Sequence, residues 1–444
     1  MTAGESARRC AYGVLAEYGR DGAFLNYVLA SSLASSELDR RDRALVTELV
    51  QGTVRMKGAL DWALSRFSNR ALDTLDPGVL WILRLSAYQV MFTEVPDYAT
   101  CDLAAALTRS ELGESAVGYV NGVLRALGRG LEHIEWPDRD REPLSYLEVR
   151  HSHPRWVVEM WVRELGFERA ESLCAADNEQ PSLSLRCNRV RITTEELQAK
   201  LQAQGMEVRR GELAPEALLV SGSGSVPELS EYRRGLFSVQ DQGSILVGRH
   251  VAPAPGMRVL DMCAAPGGKA NHLAELMKND GSVTALDVSP SRLEMIAGAA
   301  SRLGNTIIQT RALDSTTART YLEGEFDRVL VDAPCTGLGT LARRPDTRWR
   351  KRPEDVERLS KLQLALLREG ATLVKPGGLL VYSTCTISKR ENRDVVDSFL
   401  QAESGFKPIE APGPRPGASG TFLELFRDTD GSDGMFAAVL RRAR

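Results

Sequence analysis

Residues Arg258 to Lys269 read Arg-Val-Leu-Asp-Met-Cys-Ala-Ala-Pro-Gly-Gly-Lys, an apolar run that ends in a turn of small residues. The run is typical of a strand buried on both faces, and the residues after the glycines are typical of a helix. Small residues at such a turn let backbone amides approach a ligand closely, and the N-terminus of the helix favours an anionic group. The stretch therefore predicts a strand, a ligand-binding turn and a helix.

Four further apolar runs follow this one, with helical stretches between them. We predict the five strands at residues 258–263, 282–287, 306–309, 327–332 and 378–383. Because strands that alternate with helices favour a doubly wound, largely parallel sheet, we expect an α/β Rossmann-like fold with every strand buried on both faces. Ligands of such sheets bind at the carboxyl ends of the strands.

The chain before this fold has two different patterns. Apolar residues recur at helical spacing from Ser6 to about Gly130, with Trp62 and Trp81 expected in the core. The next region mixes predicted helices with predicted strands. The helices are expected at 154–176 and at 193–204, the second capped by Thr193 or Thr194, and the strands at 182–187 and 206–210. We therefore predict three domains: all-α over 1–140, a small α+β module over 141–234, and the α/β domain over 235–444.

The composition is that of an ordinary globular protein. Of the 444 residues, 43% are hydrophobic and 26% charged, and the formal net charge of −3 exerts no overall pull toward nucleic acid. The first ten residues lack the apolar core of a signal peptide, and no stretch is apolar enough to span a bilayer. The seven cysteines fit neither a disulfide framework nor a metal site. We expect a soluble cytoplasmic monomer without a metal.

Acidic residues stand at the ends of successive predicted strands. Asp287 ends the second strand about 20 residues past the glycines, Asp314 follows the third strand, and Asp332 ends the fourth. Carboxylates there suit a nucleoside cofactor with a cationic sulfonium and an amino group, whereas the absence of G-x-G-x-x-G disfavours a dinucleotide. Any one aspartate is also typical of a helix cap. Their register with the glycine turn favours the cofactor interpretation.

Two cysteines follow the fourth and fifth predicted strands. Cys335 lies in Asp332-Ala-Pro-Cys335, and Cys385 lies in Ser383-Thr-Cys385. Neighbouring strand ends would bring the two thiols over the same crevice. A thiolate that adds to C6 of cytosine would activate C5, which is otherwise a poor nucleophile. The spacing alone does not choose the attacking thiol, since in DNA cytosine methyltransferases the cysteine after proline attacks.

These motifs together resemble the Sun/Nop family of RNA cytosine-5 methyltransferases. Matching flanks extend the resemblance over most of the last 210 residues. The flanks are Phe237-Ser-Val-Gln-Asp241, Arg344-Pro-Asp-Thr-Arg-Trp349 and Asp433-Gly-Met-Phe436. The helical region resembles the NusB-like RNA-binding domain, which is fused to this catalytic domain in a bacterial enzyme that modifies small-subunit ribosomal RNA.

The resemblance implies a role for each motif. It makes Cys385 the nucleophile, assigns later steps, chiefly product release, to Cys335, and implies S-adenosylmethionine as cofactor. Asp332 counts with both the catalytic and the cofactor-binding residues. The implied cofactor-binding residues are Cys263, Ala264, Ala265, Pro266, Gly267, Gly268, Lys269, Asp287, Asp314 and Asp332.

A basic segment after Cys335 is the predicted RNA contact. Residues 341–352 hold six basic residues against one acid, a local net charge of +5, with Trp349 among them. Cations for phosphates and an aromatic ring for stacking suit RNA next to a flipped base. A solvated basic loop is the alternative interpretation. The predicted RNA contacts are Arg343, Arg344, Arg348, Trp349 and Arg350.

Three functions stay open at this point. The first is cytosine-5 methylation of small-subunit (16S) ribosomal RNA. The second is the same chemistry on transfer RNA, which the catalytic motifs do not exclude. The third is a noncatalytic RNA-binding assembly factor, which the presence of both Cys335 and Cys385 disfavours because a scaffold needs neither thiol.

Overall fold

A computed structural model describes residues 3–21, 23–222, 224–412 and 419–444 of the chain. These residues form two compact units. The first consists of Met1–Glu179 together with Leu341–Arg350, and the second of Gln180–Thr340 together with Lys351–Arg444. The two units divide the chain at other positions than the predicted domain boundaries. The boundaries at residues 140 and 234 therefore stay predictions.

The described helices are numbered in chain order. Those up to residue 176 are α1 (Ala3–Asp21), α2 (Leu25–Ser35), α3 (Arg40–Arg55), α4 (Lys57–Phe67), α5 (Pro77–Phe92), α6 (Asp97–Leu112), α7 (Val117–Gly130), α8 (Pro143–Arg150), α9 (Arg155–Leu165) and α10 (Phe167–Ala176). The later ones are α11 (Thr194–Gln202), α12 (Ser230–Arg233), α13 (Gln242–His250), α14 (Gly268–Leu276), α15 (Pro290–Leu303), α16 (Ala318–Tyr321), α17 (Thr347–Arg350), α18 (Pro353–Leu373), α19 (Arg393–Ala402) and α20 (Arg427–Asp430). None of them has the length and apolarity that a bilayer crossing requires.

The first unit is helical, as predicted for its N-terminal part. Trp81 is buried in its core, and the half-buried Trp62 packs against that core. Asp76 caps α5, since its carboxylate accepts from the backbone amides of Gly78 and Val79 at 2.8 and 3.2 Å. The single helix predicted at 154–176 is two helices, because Gly166 adopts a φ of 84° that ends α9.

The described strands lie in the second unit. They are β1 (Leu183–Cys187), β2 (Glu207–Arg210), β3 (Ala217–Ser221), β4 (Phe237–Val239), β5 (Arg258–Asp261), β6 (Ser282–Asp287), β7 (Ile308–Ala312), β8 (Phe326–Asp332), β9 (Val374–Thr384), β10 (Phe406–Pro408), β11 (Ala411–Pro412), β12 (Ser419–Gly420), β13 (Phe422–Leu425) and β14 (Met435–Arg442). The first four form an antiparallel sheet in the order β2-β3-β1-β4. Thr193, not Thr194, caps α11, in a capping box with Glu196.

The large sheet of the second unit confirms the predicted fold class. Its order is β10-β14-β9-β8-β5-β6-β7, with β13 paired to β14. The five strands β9, β8, β5, β6 and β7 run parallel to one another, whereas β14 pairs antiparallel with β9 and β10 pairs antiparallel with β14. Alternate residues of one strand enter different apolar clusters: Val329 and Val331 join one, and Leu330 the other. The sheet is therefore covered on both faces.

Two features of this sheet differ from the prediction. The strand expected at 306–309 is β7, and its residues from Gln309 to Ala312 are exposed because β7 is an edge strand. The prediction that every strand is buried on both faces is therefore wrong for this one. The strand β14 was not predicted, although Met435 to Leu440 are buried. A short apolar run of this kind has no period that distinguishes a strand from a buried helix.

Candidate active site

The glycine turn connects β5 to α14. Hydrogen bonds from Met262 N to Leu330 O (2.9 Å) and from Ala264 N to Leu286 O (2.8 Å) anchor the turn to the neighbouring strands. Gly267 has a φ of 103°, and a Cβ atom there would lie 3.1 Å from Cα of Ile296. Both the conformation and the space require glycine at this position, so the turn presents main chain rather than side chain.

Asp332 and Lys269 form an ion pair at the carboxyl end of the sheet. Lys269 Nζ donates to Asp332 Oδ2 at 2.7 Å, and Ser383 Oγ donates to Asp332 Oδ1 at 2.7 Å. Burial would lower the pKa of Lys269, but the Asp332 carboxylate raises it above its usual value. Lys269 is therefore a cation, and the pair joins the glycine turn to the ends of β8 and β9.

Asp261, the last residue of β5, belongs to the same cluster. Its side chain is fully buried, and neither carboxylate oxygen has a side-chain donor in the described part of the chain. Burial and the nearby charge of Asp332 raise its pKa to about 7. A buried carboxylate without a side-chain donor, beside a turn that presents main chain, fits a ligand that carries a positive charge and donor groups. These residues therefore fit S-adenosylmethionine.

The other two predicted acids differ from each other. Asp287 is buried, pairs with Arg292 NH1 at 3.2 Å, and accepts from Ser289 N. Asp314 is exposed, and its Oδ1 accepts from the backbone amide and the hydroxyl of Thr316 at 2.9 and 2.7 Å. Its contacts are those of a cap on the 3₁₀ turn that follows. Asp314 therefore acts as a cap through Oδ1, and its contact with a cofactor stays a prediction.

The structure brings the two predicted thiols together. Asp332 of β8 is in register with Ser383 of the parallel strand β9, so the chain continues from both strands at the same edge of the sheet. Sγ of Cys335 lies 3.3 Å from Sγ of Cys385. The prediction that the two thiols lie together at the strand ends is confirmed.

The surroundings of the two thiols differ in charge. The hydrogen bond between Cys335 and Cys385, burial, and the negative charges of Cys385 and Glu391 raise the pKa of Cys335 well above its usual value. Cys385 is in turn among the groups that raise the pKa of Lys269, which places it within the field of that ammonium group. The arrangement favours a neutral thiol at Cys335 and places Cys385 near a cation.

The basic segment at 341–350 packs within the first unit. Arg348 is fully buried, and its NH1 donates to the carbonyl oxygen of Ser152 and to Oδ1 of Asn178, both at 2.9 Å. It also donates to the carbonyl oxygens of Arg55 and Asp177, next to the C-terminal ends of two helices. The prediction that Arg348 contacts RNA is wrong, because its guanidinium is buried and bonded to oxygens of the first unit.

The other predicted RNA contacts divide into two groups. Trp349 is half-buried, packs against the helical core, and donates its indole N–H to Val54 O at 2.7 Å. We therefore remove Trp349 from the predicted stacking residues. Arg344 is exposed, and Arg343 and Arg350 are half-buried. A count of charges along the sequence does not separate an arginine that caps buried carbonyls from one that faces solvent.

Replacing Arg348 by methionine is expected to destabilise the protein. The substitution keeps most of the aliphatic volume but leaves the carbonyls of Ser152 and Asp177 without this donor, so we expect a loss of about 2–4 kcal/mol in the free energy of unfolding. Urea denaturation measures it. The exposed Arg344→Met is the control, with a change within about 0.5 kcal/mol. Equal stability of the two variants would contradict a structural role for Arg348.

Two buried acids of the site, Asp261 and Glu391, were not predicted from the sequence. Asp261 ends β5 as Asp332 ends β8, so the rule applied to Asp287 and Asp332 also predicts Asp261. Glu391 lies in the run Lys-Arg-Glu-Asn-Arg at 389–393, which is typical of a solvated loop, yet its side chain is fully buried. No sequence signal distinguishes it from the charges around it.

Comparison with known families matches three segments of the chain. The family model for the 16S rRNA methyltransferase RsmB/F matches residues 249–441. The NusB family model matches residues 5–129, and a model for the ferredoxin-like domain of RsmF/B-like methyltransferases matches residues 153–227. The predicted resemblances of the helical and catalytic regions are confirmed.

Individual relatives match over the full length. The chain is 40% identical to the probable ribosomal RNA small subunit methyltransferase B of Bacillus subtilis (strain 168), over 98% of this chain and 99% of the relative. It is 34% identical to the protein of the same description from Synechocystis sp., over 99% of this chain and the whole relative. Among solved structures, that of PH0851 has a TM-score of 0.84 and 27% identity, covering 100% of this chain and 99% of the other.

Proposed function

Because the chain belongs to the RsmB/F family of 16S rRNA methyltransferases, we propose that it methylates C5 of a cytosine in small-subunit ribosomal RNA through a covalent adduct of Cys385. The observation that carries this proposal is the pair of thiols 3.3 Å apart, one of them within the field of Lys269. A methyltransferase that acts on an exocyclic amine or a ribose hydroxyl needs no thiol pair at that place.

We propose S-adenosylmethionine as the methyl donor; when bound, it supplies an electrophilic methyl group on a sulfonium. The residues that would hold it are the turn from Cys263 to Lys269 and the carboxylates of Asp261, Asp287 and Asp332. The turn offers main-chain groups, and the carboxylates offer negative charge for a sulfonium and acceptors for amino and hydroxyl groups. Asp332 also orients Lys269 through their ion pair.

The proposed reaction uses the two thiols in turn. The Cys385 thiolate adds to C6 of the cytosine, and the electron pair of the C5–C6 bond moves to make C5 a nucleophile. C5 then bonds to the methyl group, whose bond to the donor sulfur breaks, so that this sulfur leaves as a neutral thioether. Loss of the C5 proton to a base and cleavage of the Cys385–C6 bond restore the aromatic ring and the thiolate. We assign assistance in this last elimination to Cys335, which lies within hydrogen-bond distance of the Cys385 sulfur.

The charges around the thiols support this choice of nucleophile. Cys385 interacts with the Lys269 ammonium, which favours its thiolate, whereas Cys335 has the Glu391 carboxylate nearby, which disfavours a second negative charge. The reverse assignment, with Cys335 attacking, would place the thiolate beside a buried carboxylate.

Methylation of defined RNAs tests the proposed activity. The protein is incubated with methyl-labelled S-adenosylmethionine and either small-subunit ribosomal RNA or transfer RNA, and the digested nucleosides are separated and identified by mass spectrometry. We expect 5-methylcytidine from the ribosomal RNA. Label in transfer RNA alone would favour the second substrate class, and RNA binding without any methylation would favour the assembly factor. We also propose that the protein is a cytoplasmic monomer that acts on this RNA.

We propose an RNA-contacting surface on the first unit, formed by Arg343, Arg344 and Arg350 with Phe24 and Tyr27. The rings of Phe24 and Tyr27 are 68% and 77% exposed, and the Arg350 guanidinium lies 4.3 Å from the centre of the Phe24 ring. Asn26, between them, donates to the carbonyl oxygen of Arg343 at 3.1 Å. Exposed rings beside arginines suit single-stranded RNA. We assign to the rings of Phe24 and Tyr27 the stacking role that was predicted for Trp349.

The salt dependence of RNA binding tests this surface. Because each lost phosphate contact of a single strand reduces the magnitude of the slope of log K against log [salt] by about 0.7, Arg343→Gln with Arg344→Gln is expected to reduce it by up to about 1.4. Fluorescence anisotropy with a labelled single-stranded RNA measures the slope. Arg209→Gln, an exposed arginine of β2, is the control and should leave it unchanged. If the parent, the double variant and Arg209→Gln all had the same slope, the proposed RNA-contacting surface would be wrong.

A further inference from the structure

We propose that Glu391 is the positioning residue for both thiols, holding the loops of Cys335 and Cys385 together and keeping Cys335 protonated. The proposal rests on the proposed function, since it concerns the same two cysteines. Glu391 ends the 3₁₀ turn Lys389–Glu391 between β9 and α19, and its side chain is fully buried.

The Glu391 carboxylate bonds to the residue that follows each cysteine. Oε1 accepts from Thr336 N at 2.8 Å and from Gln363 Nε2 of α18 at 3.0 Å. Oε2 accepts from the hydroxyl of Thr336 at 2.5 Å and, at 3.4 Å, from that of Thr386. The two hydroxyls are also 2.9 Å from each other. One buried carboxylate therefore connects the loop after β8 to the loop after β9.

The side chain of the next residue, Asn392, forms hydrogen bonds to the residues directly before and after Cys385. Its Oδ1 accepts from the hydroxyl of Thr384 at 2.6 Å, and its Nδ2 donates to the carbonyl oxygen of Thr386 at 2.9 Å. The hydroxyl of Tyr382 donates to the carbonyl oxygen of Glu391 at 2.5 Å. The turn at 389–392 thus fixes the main chain on which the Cys385 sulfur is carried.

The charge of Glu391 acts on Cys335. Burial raises the pKa of Glu391, and the N–H donors Thr336 N and Gln363 Nε2 oppose that rise by favouring the ionised carboxylate. The ionisable groups that face Cys335 are Cys385, Glu391 and Tyr382. The hydrogen bond with Cys385, burial, and the charges of Cys385 and Glu391 together raise the pKa of Cys335, so Glu391 is the carboxylate that adds to its neutral state.

Two substitutions separate the charge from the positioning. Glu391→Gln keeps an oxygen for Thr336 N and Gln363, and its amide group can donate to the threonine hydroxyls, which can turn to accept. It therefore removes the charge and keeps the connection. Glu391→Ala removes both. Glu357→Gln is the matched control, because Glu357 forms an exposed ion pair with Arg390 of the same turn.

The charge is tested without RNA. In the full chain with Cys385→Ser, the rate of Cys335 alkylation by iodoacetamide is followed against pH by peptide mass spectrometry. Glu391→Gln is expected to lower the midpoint by about one pH unit, and Glu357→Gln to leave it unchanged. A midpoint that does not move in Glu391→Gln would overturn the role of the charge, whether or not the protein methylates RNA.

The positioning is tested by single-turnover methylation with both cysteines present. Glu391→Ala is expected to slow methyl transfer by about 100-fold with unchanged RNA affinity, because a displacement of about 1 Å can have such an effect, and Glu391→Gln to slow it less. An unchanged rate in Glu391→Ala would overturn the positioning role. If the parent itself transfers no methyl group while the alkylation midpoint shifts as expected, the proposed function fails and the pairing of Glu391 with Cys335 stands. Thermal unfolding of each variant identifies a loss of rate that comes from misfolding.

Discussion

Cys385→Ala is expected to abolish methylation, lowering the single-turnover rate by roughly 10⁴-fold or more. The reason is that C5 of cytosine has no route to sufficient nucleophilicity without the sulfur at C6, and removal of an attacking nucleophile has effects of this size or larger. RNA affinity is expected to stay near that of the parent, since the sulfur contributes little to binding before it attacks. The rate of methyl incorporation into small-subunit ribosomal RNA measures the effect.

A structural cysteine provides the control for this substitution. Cys10 lies half-buried on α1, in the first unit. Cys10→Ala should therefore methylate at the parental rate. If Cys385→Ala retained a rate within 10-fold of the parent, the sulfur at position 385 would not be the nucleophile.

Cys335→Ala is expected to separate the first turnover from the later ones. Its sulfur lies 3.3 Å from that of Cys385, at the bond that must break to release the product. Without it, methyl transfer should still occur once, and the covalent complex with unmodified RNA should accumulate. The multiple-turnover rate should fall by about 10²–10³-fold, the range of a lost acid–base contribution.

A burst experiment measures both phases in one reaction. With protein in one-tenth the concentration of RNA, Cys335→Ala should give a burst close to one methyl group per protein, followed by a slow phase. A denaturing gel should show protein attached to RNA that contains no fluorinated base. A variant that lost the burst itself would show that Cys335 acts before methyl transfer, which reverses the assignment of the two thiols.

Much of the fold follows from local patterns in the sequence. The apolar runs at 282–287 and 327–332 and the glycine turn between β5 and α14 predict the parallel half of the large sheet, because buried parallel strands are short, apolar and separated by helices. The antiparallel strand β14 was missed since its pairing with β9 is a contact between distant parts of the chain. No periodicity within residues 435–442 reports that pairing.

The residues of the site also fall into those that the sequence predicts and those that it does not. Cys335 and Cys385 could be placed together because each follows a predicted strand end, and the ends of parallel strands meet at one edge of a sheet. Arg348 and Glu391 could not be placed, because each is a charged residue inside a charged run. A charged residue in such a run is expected at the surface, but these two side chains are buried. Arg348 binds carbonyl oxygens of the helical unit, and Glu391 binds the loops that carry the thiols.

Trapping the protein on RNA that contains 5-fluorocytosine tests the central claim most directly, because fluorine at C5 does not leave as a proton does and the adduct persists. After incubation with S-adenosylmethionine, digestion and mass spectrometry locate the modified peptide. We expect the nucleotide on Cys385, with a mass that includes the transferred methyl group, and no complex with Cys385→Ala. A nucleotide on Cys335, or no covalent complex from a protein that methylates RNA, would contradict the mechanism.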